Sequence, residues 1–217
     1  MRRILCFGDS NTWGYVAGTG ERYAHDVRWT GVVQRELGGD YAVIEEGLNG
    51  RTSVYDHPRS LARKGIDYLL PCLLSQKPLD LVVLMLGTND LQWTDAYGAA
   101  GGVRFMVDRI KHYSYLEESS WIFAEGKGQA RILLVAPIRV HPCVNERDPI
   151  KRRHNYVEEA KLFSELYEQA ARETGCYFLD AAQYAEPSEA DGLHMTLESH
   201  EKFGVAVAEK IKEIFAE

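Results

Sequence analysis

Short apolar runs alternate along this chain with longer amphipathic stretches. Residues 3–7 (Arg-Ile-Leu-Cys-Phe) predict a strand, and so do 41–45, 80–86, 131–136 and 176–180. The run at 80–86, Asp-Leu-Val-Val-Leu-Met-Leu, does not alternate. That suits a strand buried on both faces of a parallel sheet. Helical patterns fill the intervals: 28–37, 59–74 (stopped near Pro78) and, more weakly, 97–112. Residues 154–173 place Val157, Ala160, Phe163, Tyr167 and Ala170 at spacings of three and four, with Gly175 as the stop. A last helix starts at Thr196, a good N-cap, and carries Phe203, Val207, Ile211 and Ile214 as one apolar stripe.

Strands alternating with helices predict an α/β fold, a five-stranded parallel sheet with helices on both faces. In such sheets ligands bind in the crevice beyond the C-terminal strand ends, which says where to look for chemistry. Two stretches interrupt the alternation. Residues 91–129 are too long for one connection, and 137–153 read as a long irregular loop.

With 217 residues, 45% of them hydrophobic, the chain fits one domain over 1–217 with a sizeable core. A net charge of -7 argues against nucleic acid or an anionic membrane as the main partner. No apolar run approaches bilayer length, and the basic start lacks the apolar region of a signal peptide, so a cytoplasmic location is expected. Cys6, Cys72, Cys143 and Cys176 form no Cys-x-x-Cys pair and read as reduced structural thiols. His141 and Cys143 lack third and fourth ligands at usual spacing, so no metal is expected.

Four polar clusters fall at strand ends. Gly8-Asp9-Ser10-Asn11 follows the first strand, where Ser10 can sit at the mouth of the sheet. A serine hydroxyl is a weak nucleophile until a base takes its proton. Asp191-Gly192-Leu193-His194 precedes the last helix, and its spacing lets one turn present both an imidazole and the carboxylate that orients it. Gly87-Thr88-Asn89-Asp90 follows the third strand and offers the Asn89 amide to a developing oxyanion. Gly47-Leu48-Asn49-Gly50-Arg51 follows the second, where Gly50 offers a backbone N–H. Each cluster alone reads equally as a turn or a cap. Together they supply what acyl transfer requires: nucleophile, base, orienter and oxyanion donors.

This set resembles the GDSL/SGNH hydrolase family, whose name-giving Ser, Gly, Asn and His match Ser10, Gly50, Asn89 and His194. More narrowly, Arg3-Ile4-Leu5-Cys6-Phe7-Gly8-Asp9-Ser10, Thr12-Trp13-Gly14, Asp26-Val27-Arg28-Trp29-Thr30-Gly31 and Glu45-Glu46-Gly47-Leu48 look like its bacterial aryl esterase/acyltransferase branch. The resemblance implies a flavodoxin-like three-layer sandwich, a single SGNH-hydrolase domain, no cofactor or metal, and a small-molecule ester substrate with a short acyl chain. It also implies a homo-oligomer. The apolar Ile138, Val140, Val144 and Ile150 among the prolines of 137–153 point the same way, if that loop projects.

The resulting expectation is a serine esterase. Ser10 is the nucleophile, His194 the base and Asp191 its orienter. The N–H groups of Ser10 and Gly50 and the Asn89 amide form the oxyanion hole. Asn11 departs from the Leu of the family's name and is expected to tune specificity. Trp13 and Tyr15 are candidate pocket walls, with core packing an equal reading. Alternatives are a carbohydrate acetylesterase, a thioesterase or lysophospholipase of the same fold, and a binding protein that has lost catalysis.

Overall fold

The computed structural model describes residues 1–56, 61–115, 122–124 and 130–216. Five strands form one sheet: β1 (Arg2–Gly8), β2 (Tyr41–Gly47), β3 (Leu81–Met85), β4 (Ile132–Ala136) and β5 (Tyr177–Asp180). Their order is β2-β1-β3-β4-β5, and every neighbouring pair is parallel. The order reverses between β1 and β3, so the crevice for a ligand opens at the C-terminal ends of those two strands.

Successive side chains on a strand point to opposite faces. Leu5, Phe7, Val82, Leu84 and Leu134 therefore face one core, under α3 (Gly65–Gln76), α4 (Ala96–Tyr115) and α8 (Phe163–Thr174). Ile4, Cys6, Leu81, Val83, Leu133 and Val135 face the other, under α2 (Trp29–Leu37) and α9 (Leu197–Ile214). The two cores explain why β3 and β4 are apolar at every position. Together the layers form the expected three-layer sandwich. Trp29 and Phe203 meet edge to face at 5.2 Å, joining α2 to α9. Both are buried, each side chain contributing about 1.5–3 kcal/mol.

Several predicted boundaries shift for physical reasons. The helix expected over 59–74 begins at Gly65; residues 59 and 60, like His57, lie outside the described residues. The chain just before it is extended, because Thr52 N donates to Arg63 O and Gly65 N to Thr52 O. The helix over 97–112 runs from Ala96 to Tyr115 and takes up much of the long 91–129 stretch, of which 116–121 and 125–129 lie outside the described residues.

The helix over 154–173 starts at Tyr156, after Asn155 in the left-handed conformation, and tightens midway without leaving the right-handed helical region. It consists of α7 (Tyr156–Glu159), a 3-10 turn at Ala160–Leu162, and α8. Val157, Ala160 and Phe163 are spaced strictly by threes and all are buried, which favours the tighter 3-10 winding. From Phe163 onward the stripe uses spacings of four and three, and the α-helix holds to Gly175, which closes it in the left-handed conformation.

The segment 137–153 is not a projecting irregular loop. It contains α5 (Val144–Arg147) and α6 (Pro149–Arg153), the latter started by Pro149 and capped by Asp148. Proline is tolerated at a first helical position because its missing N–H has no partner there anyway. Ile138, Val140 and Val144 are buried against this same chain, and only Ile150 is exposed, at 43%. The expected demand of this loop for a neighbouring subunit is therefore mostly met internally. All four cysteines are free, with Cys6 and Cys72 in the core. Among the described residues, no helix is long and apolar enough to cross a membrane, and no cluster of His, Cys, Asp and Glu could hold a metal.

Candidate active site

Ser10 opens α1 (Ser10–Trp13), a single helical turn directly after β1. Asp9 caps that turn by accepting from Asn11 N at 3.0 Å, and Gly14 closes it in the left-handed conformation. The turn lies hard against the end of β2. A Cβ on Gly47 would stand 2.2 Å from Trp13 N, so only glycine fits there. As the first residue of a helix, Ser10 has an N–H without an intrahelical acceptor.

The facing wall is the turn 188–194. Ser188 N donates to His194 O at 2.7 Å, and His141 N donates to Gly192 O at 2.9 Å. Segment 137–153 thus buttresses this turn from behind. Within it, Asp191 Oδ1 accepts from Leu193 N at 2.9 Å and His194 N at 3.0 Å. Asp191 Oδ2 is 2.7 Å from His194 Nδ1, and His194 Nε2 is 2.9 Å from Ser10 Oγ. Burial works to raise the Asp191 pKa. The hydrogen bonds from the His194 ring and the Leu193 and His194 amides override it and hold the carboxyl at about 2. A carboxylate held ionised on Nδ1 fixes the ring tautomer and leaves Nε2 as an acceptor toward Ser10.

Asn89 belongs to a 3-10 turn at Thr88–Gln92, just after β3. Its Nδ2 donates to Arg51 O at 3.1 Å and reaches Asp9 Oδ2 at 3.4 Å. Gly50 adopts a φ of 73°, and among the described residues no backbone carbonyl takes its N–H. The loop carrying it is pinned on both sides. Arg51 Nη1 donates to Gly8 O at 2.9 Å and also to Glu46 O, joining the ends of β1 and β2. Ser53 N donates to both oxygens of Asp90 at 3.1 Å, and Ser53 Oγ bonds the same carboxylate.

Two buried acids support this floor. Burial raises Asp9 to about 6, opposed by the Asn11 N–H and by His194 and Arg51. Burial likewise raises Asp90 to about 7, opposed by its Ser53 bonds and reinforced by nearby Asp9.

The pocket candidates separate. Tyr15 lies flat on the His194 ring, with centroids 4.2 Å apart and planes at 30°. Trp13 is held by Arg22, whose Nε donates to Trp13 O at 2.7 Å and whose guanidinium sits 5.0 Å from the indole centroid. Asn11 is buried, and its side-chain amide is bonded to Leu193 O and Met195 N. It faces the turn that carries His194.

Some supports escaped the sequence reading. Ser53 carries no local signal. Arg28 and Glu45 carry no signal of their partnership in the sequence; their ion pair at 3.0 Å, with Thr30 bonded to the same carboxylate, braces α2 against β2 beneath Gly14. A groove of about 800 Å³ beside the start of α9 is lined by Glu186, Glu189, Glu198 and Glu201 but by neither Ser10 nor Asn89, so it is separate from this chemistry.

The family model for the GDSL-like lipase/acylhydrolase family matches residues 6–202. Among solved structures, an aryl esterase of M. smegmatis is 33% identical with a TM-score of 0.86, over 98% of this chain and 99% of that one. A carbohydrate acetylesterase from Sinorhizobium meliloti is 32% identical with a TM-score of 0.87, over 99% and 100%. A search of the curated proteins gave no match. The sheet, the order of the four polar clusters and these likenesses agree, and the chain belongs to the GDSL-like lipase/acylhydrolase family, whose members hydrolyse acyl esters.

Proposed function

We propose that this chain is a serine esterase acting on small, short-chain carboxylic esters through an acyl-enzyme. The observation that carries the reading is the unbroken relay from Ser10 Oγ to His194 at 2.9 Å and on to Asp191 at 2.7 Å. In the first half-reaction Ser10 Oγ attacks the ester carbonyl while His194 Nε2 takes its proton. The tetrahedral oxyanion is met by the N–H groups of Ser10 and Gly50 and by Asn89 Nδ2, which exchanges its long 3.4 Å contact with Asp9 Oδ2 for the oxyanion. His194 then passes the proton to the leaving alkoxide, which departs as the alcohol. In the second half-reaction water gives a proton to His194 and attacks the acyl group, releasing the acid and restoring Ser10. An alcohol in place of water gives acyl transfer with the same residues.

The test is hydrolysis of p-nitrophenyl acetate with and without a serine-reactive organophosphonate. Turnover that the reagent abolishes, with one label on Ser10, supports the reading. Turnover unaffected by the reagent refutes it. A series of esters from acetate to octanoate tests the short-chain preference, which fails if octanoate turns over as fast as acetate.

A second reading is favoured by the likeness to the S. meliloti carbohydrate acetylesterase. Acetyl groups on a sugar would use the same relay. Release of acetate from an acetylated oligosaccharide faster than from simple esters selects that reading. We also propose self-association, supported by the exposed Ile150 and by the exposed aromatic residues Trp93 and Tyr97. A monomer mass by light scattering at micromolar concentration refutes it.

A further inference from the structure

Asn11 stands next to the nucleophile and 184 residues away from Met195. Its side-chain Nδ2 donates to Leu193 O at 3.2 Å, and its Oδ1 accepts from Met195 N at 2.9 Å. Leu193 and Met195 are the two residues flanking His194. One buried amide thus grips the backbone on both sides of the base, from the residue adjoining Ser10. The geometry points to Asn11 as a positioning residue that sets the spacing of His194 from Ser10.

Asp191, three residues before His194, orients the ring within the turn. Besides the Ser10–His194 bond of the relay itself, two hydrogen bonds among the described residues tie α1 to this turn, and both come from Asn11. The two partners are backbone groups, one an acceptor and one a donor, and a primary amide offers the matching pair at the matching separation. Leucine, the residue in the family's name, has neither atom. It would leave the half-buried Leu193 carbonyl and the buried Met195 N–H without these partners. Asn11 is itself fixed from below, since its own N–H donates to the Asp9 carboxylate. The chain Asp9–Asn11–(Leu193, Met195) is therefore a rigid link between the two halves of the relay.

The inference rests on the esterase reading. It predicts a loss of rate and not of binding, because displacing a base by about 1 Å can cost on the order of 10² in rate. The experiment compares wild type, Asn11→Ala, Asn11→Leu and Asn11→Asp with p-nitrophenyl acetate, rates being normalised to folded protein. Asn11→Asp keeps the size of the side chain and the acceptor for Met195 N but turns the donor into an oxygen facing Leu193 O. It thus serves where the smaller or apolar variants fail to fold.

The expected result is a kcat lowered about 10- to 100-fold with KM within about twofold. The deciding control is the same substitution in a His194→Ala background, where a residue acting through His194 has nothing left to position and the residual rate changes less than about twofold. A folded variant with wild-type kcat overturns the inference. So does a change confined to KM, or an equal loss in both backgrounds, which marks a merely structural role. A wild-type protein that neither hydrolyses the ester nor is labelled at Ser10 refutes the esterase reading instead.

Discussion

Replacing Asp191 by asparagine preserves the shape of the site and should nonetheless nearly abolish turnover. The two carboxylate oxygens have different duties. Oδ1 accepts two backbone N–H groups, from Leu193 and His194, while Oδ2 faces His194 Nδ1 at 2.7 Å. An asparagine must keep its carbonyl oxygen on the backbone donors, because its NH2 would clash with them. The NH2 then points at Nδ1 and donates to it. The imidazole must hold its proton on Nε2, directed at Ser10 Oγ, and can no longer accept the serine proton. A comparable tautomer reversal in another triad lowers kcat by about 10⁴. The accompanying stability loss is small. The carboxyl is held at about 2 against an ordinary 3.8, so its interactions are worth roughly 2 kcal/mol at neutral pH, less some solvent screening. With a depressed folded pKa, that contribution is present above pH 4 and lost as pH falls toward 2. Steady-state kinetics with p-nitrophenyl acetate and a melting curve separate the two effects. The reasoning is refuted if Asp191→Asn keeps a tenth of wild-type kcat, or if it is far more active than Asp191→Ala, which imposes no tautomer.

Ser10→Ala should remove activity by about 10⁴ to 10⁶ in kcat and abolish organophosphonate labelling while leaving the circular dichroism spectrum unchanged; a tenth of the wild-type rate would reject Ser10 as nucleophile. Asn89→Ala should lower kcat by about 10² to 10³ with little change in KM, since its amide acts on developing charge; a change in KM alone would make it a binding residue. Asp9 and Asp90, raised by burial to about 6 and about 7, hold protons in the folded state that the unfolded chain releases near pH 4. Their contribution to stability is full below pH 4 and declines as pH rises through 7, so melting temperature should fall between pH 5 and pH 8. Asp90→Asn should flatten part of that slope, and an unchanged slope would show that Asp90 does not titrate there.

The fold was legible where one physical signal dominates. The inner strands β3 and β4 read clearly because they are apolar runs with core on both faces. The meeting of Ser10, His194 and Asp191 was legible because these residues lie in short local clusters at strand ends, where the topology must bring them together. What local patterns could not show was pairing across the chain. The helix expected from residue 59 yields to extended pairing of Thr52 with Lys64, a contact between segments that carry no shared pattern. Segment 137–153 looked like a projecting apolar loop because burial of Ile138, Val140 and Val144 depends on what packs above them. The partners of Asn11 were hidden for the same reason. Its neighbours in sequence are Ser10 and Thr12, but its partners lie 182 and 184 residues away.

The supports missing from the sequence reading have a common physical origin. A relay needs its three members held to within a fraction of an ångström, and short polar side chains on loops do not achieve that alone. In this protein several of the fastenings end on backbone atoms. Arg51 ties Gly8 to Glu46, Asp90 ties the third cluster to Ser53, and Asn11 ties the first cluster to the fourth. Backbone partners leave no mark in the identity of the residue that supplies them. A carbonyl of Leu193 and an N–H of Met195 would be present whatever residues stood there, proline apart. The chemistry of the site is therefore written in side chains that a sequence displays, whereas its precision depends on contacts that appear only once the chain is folded.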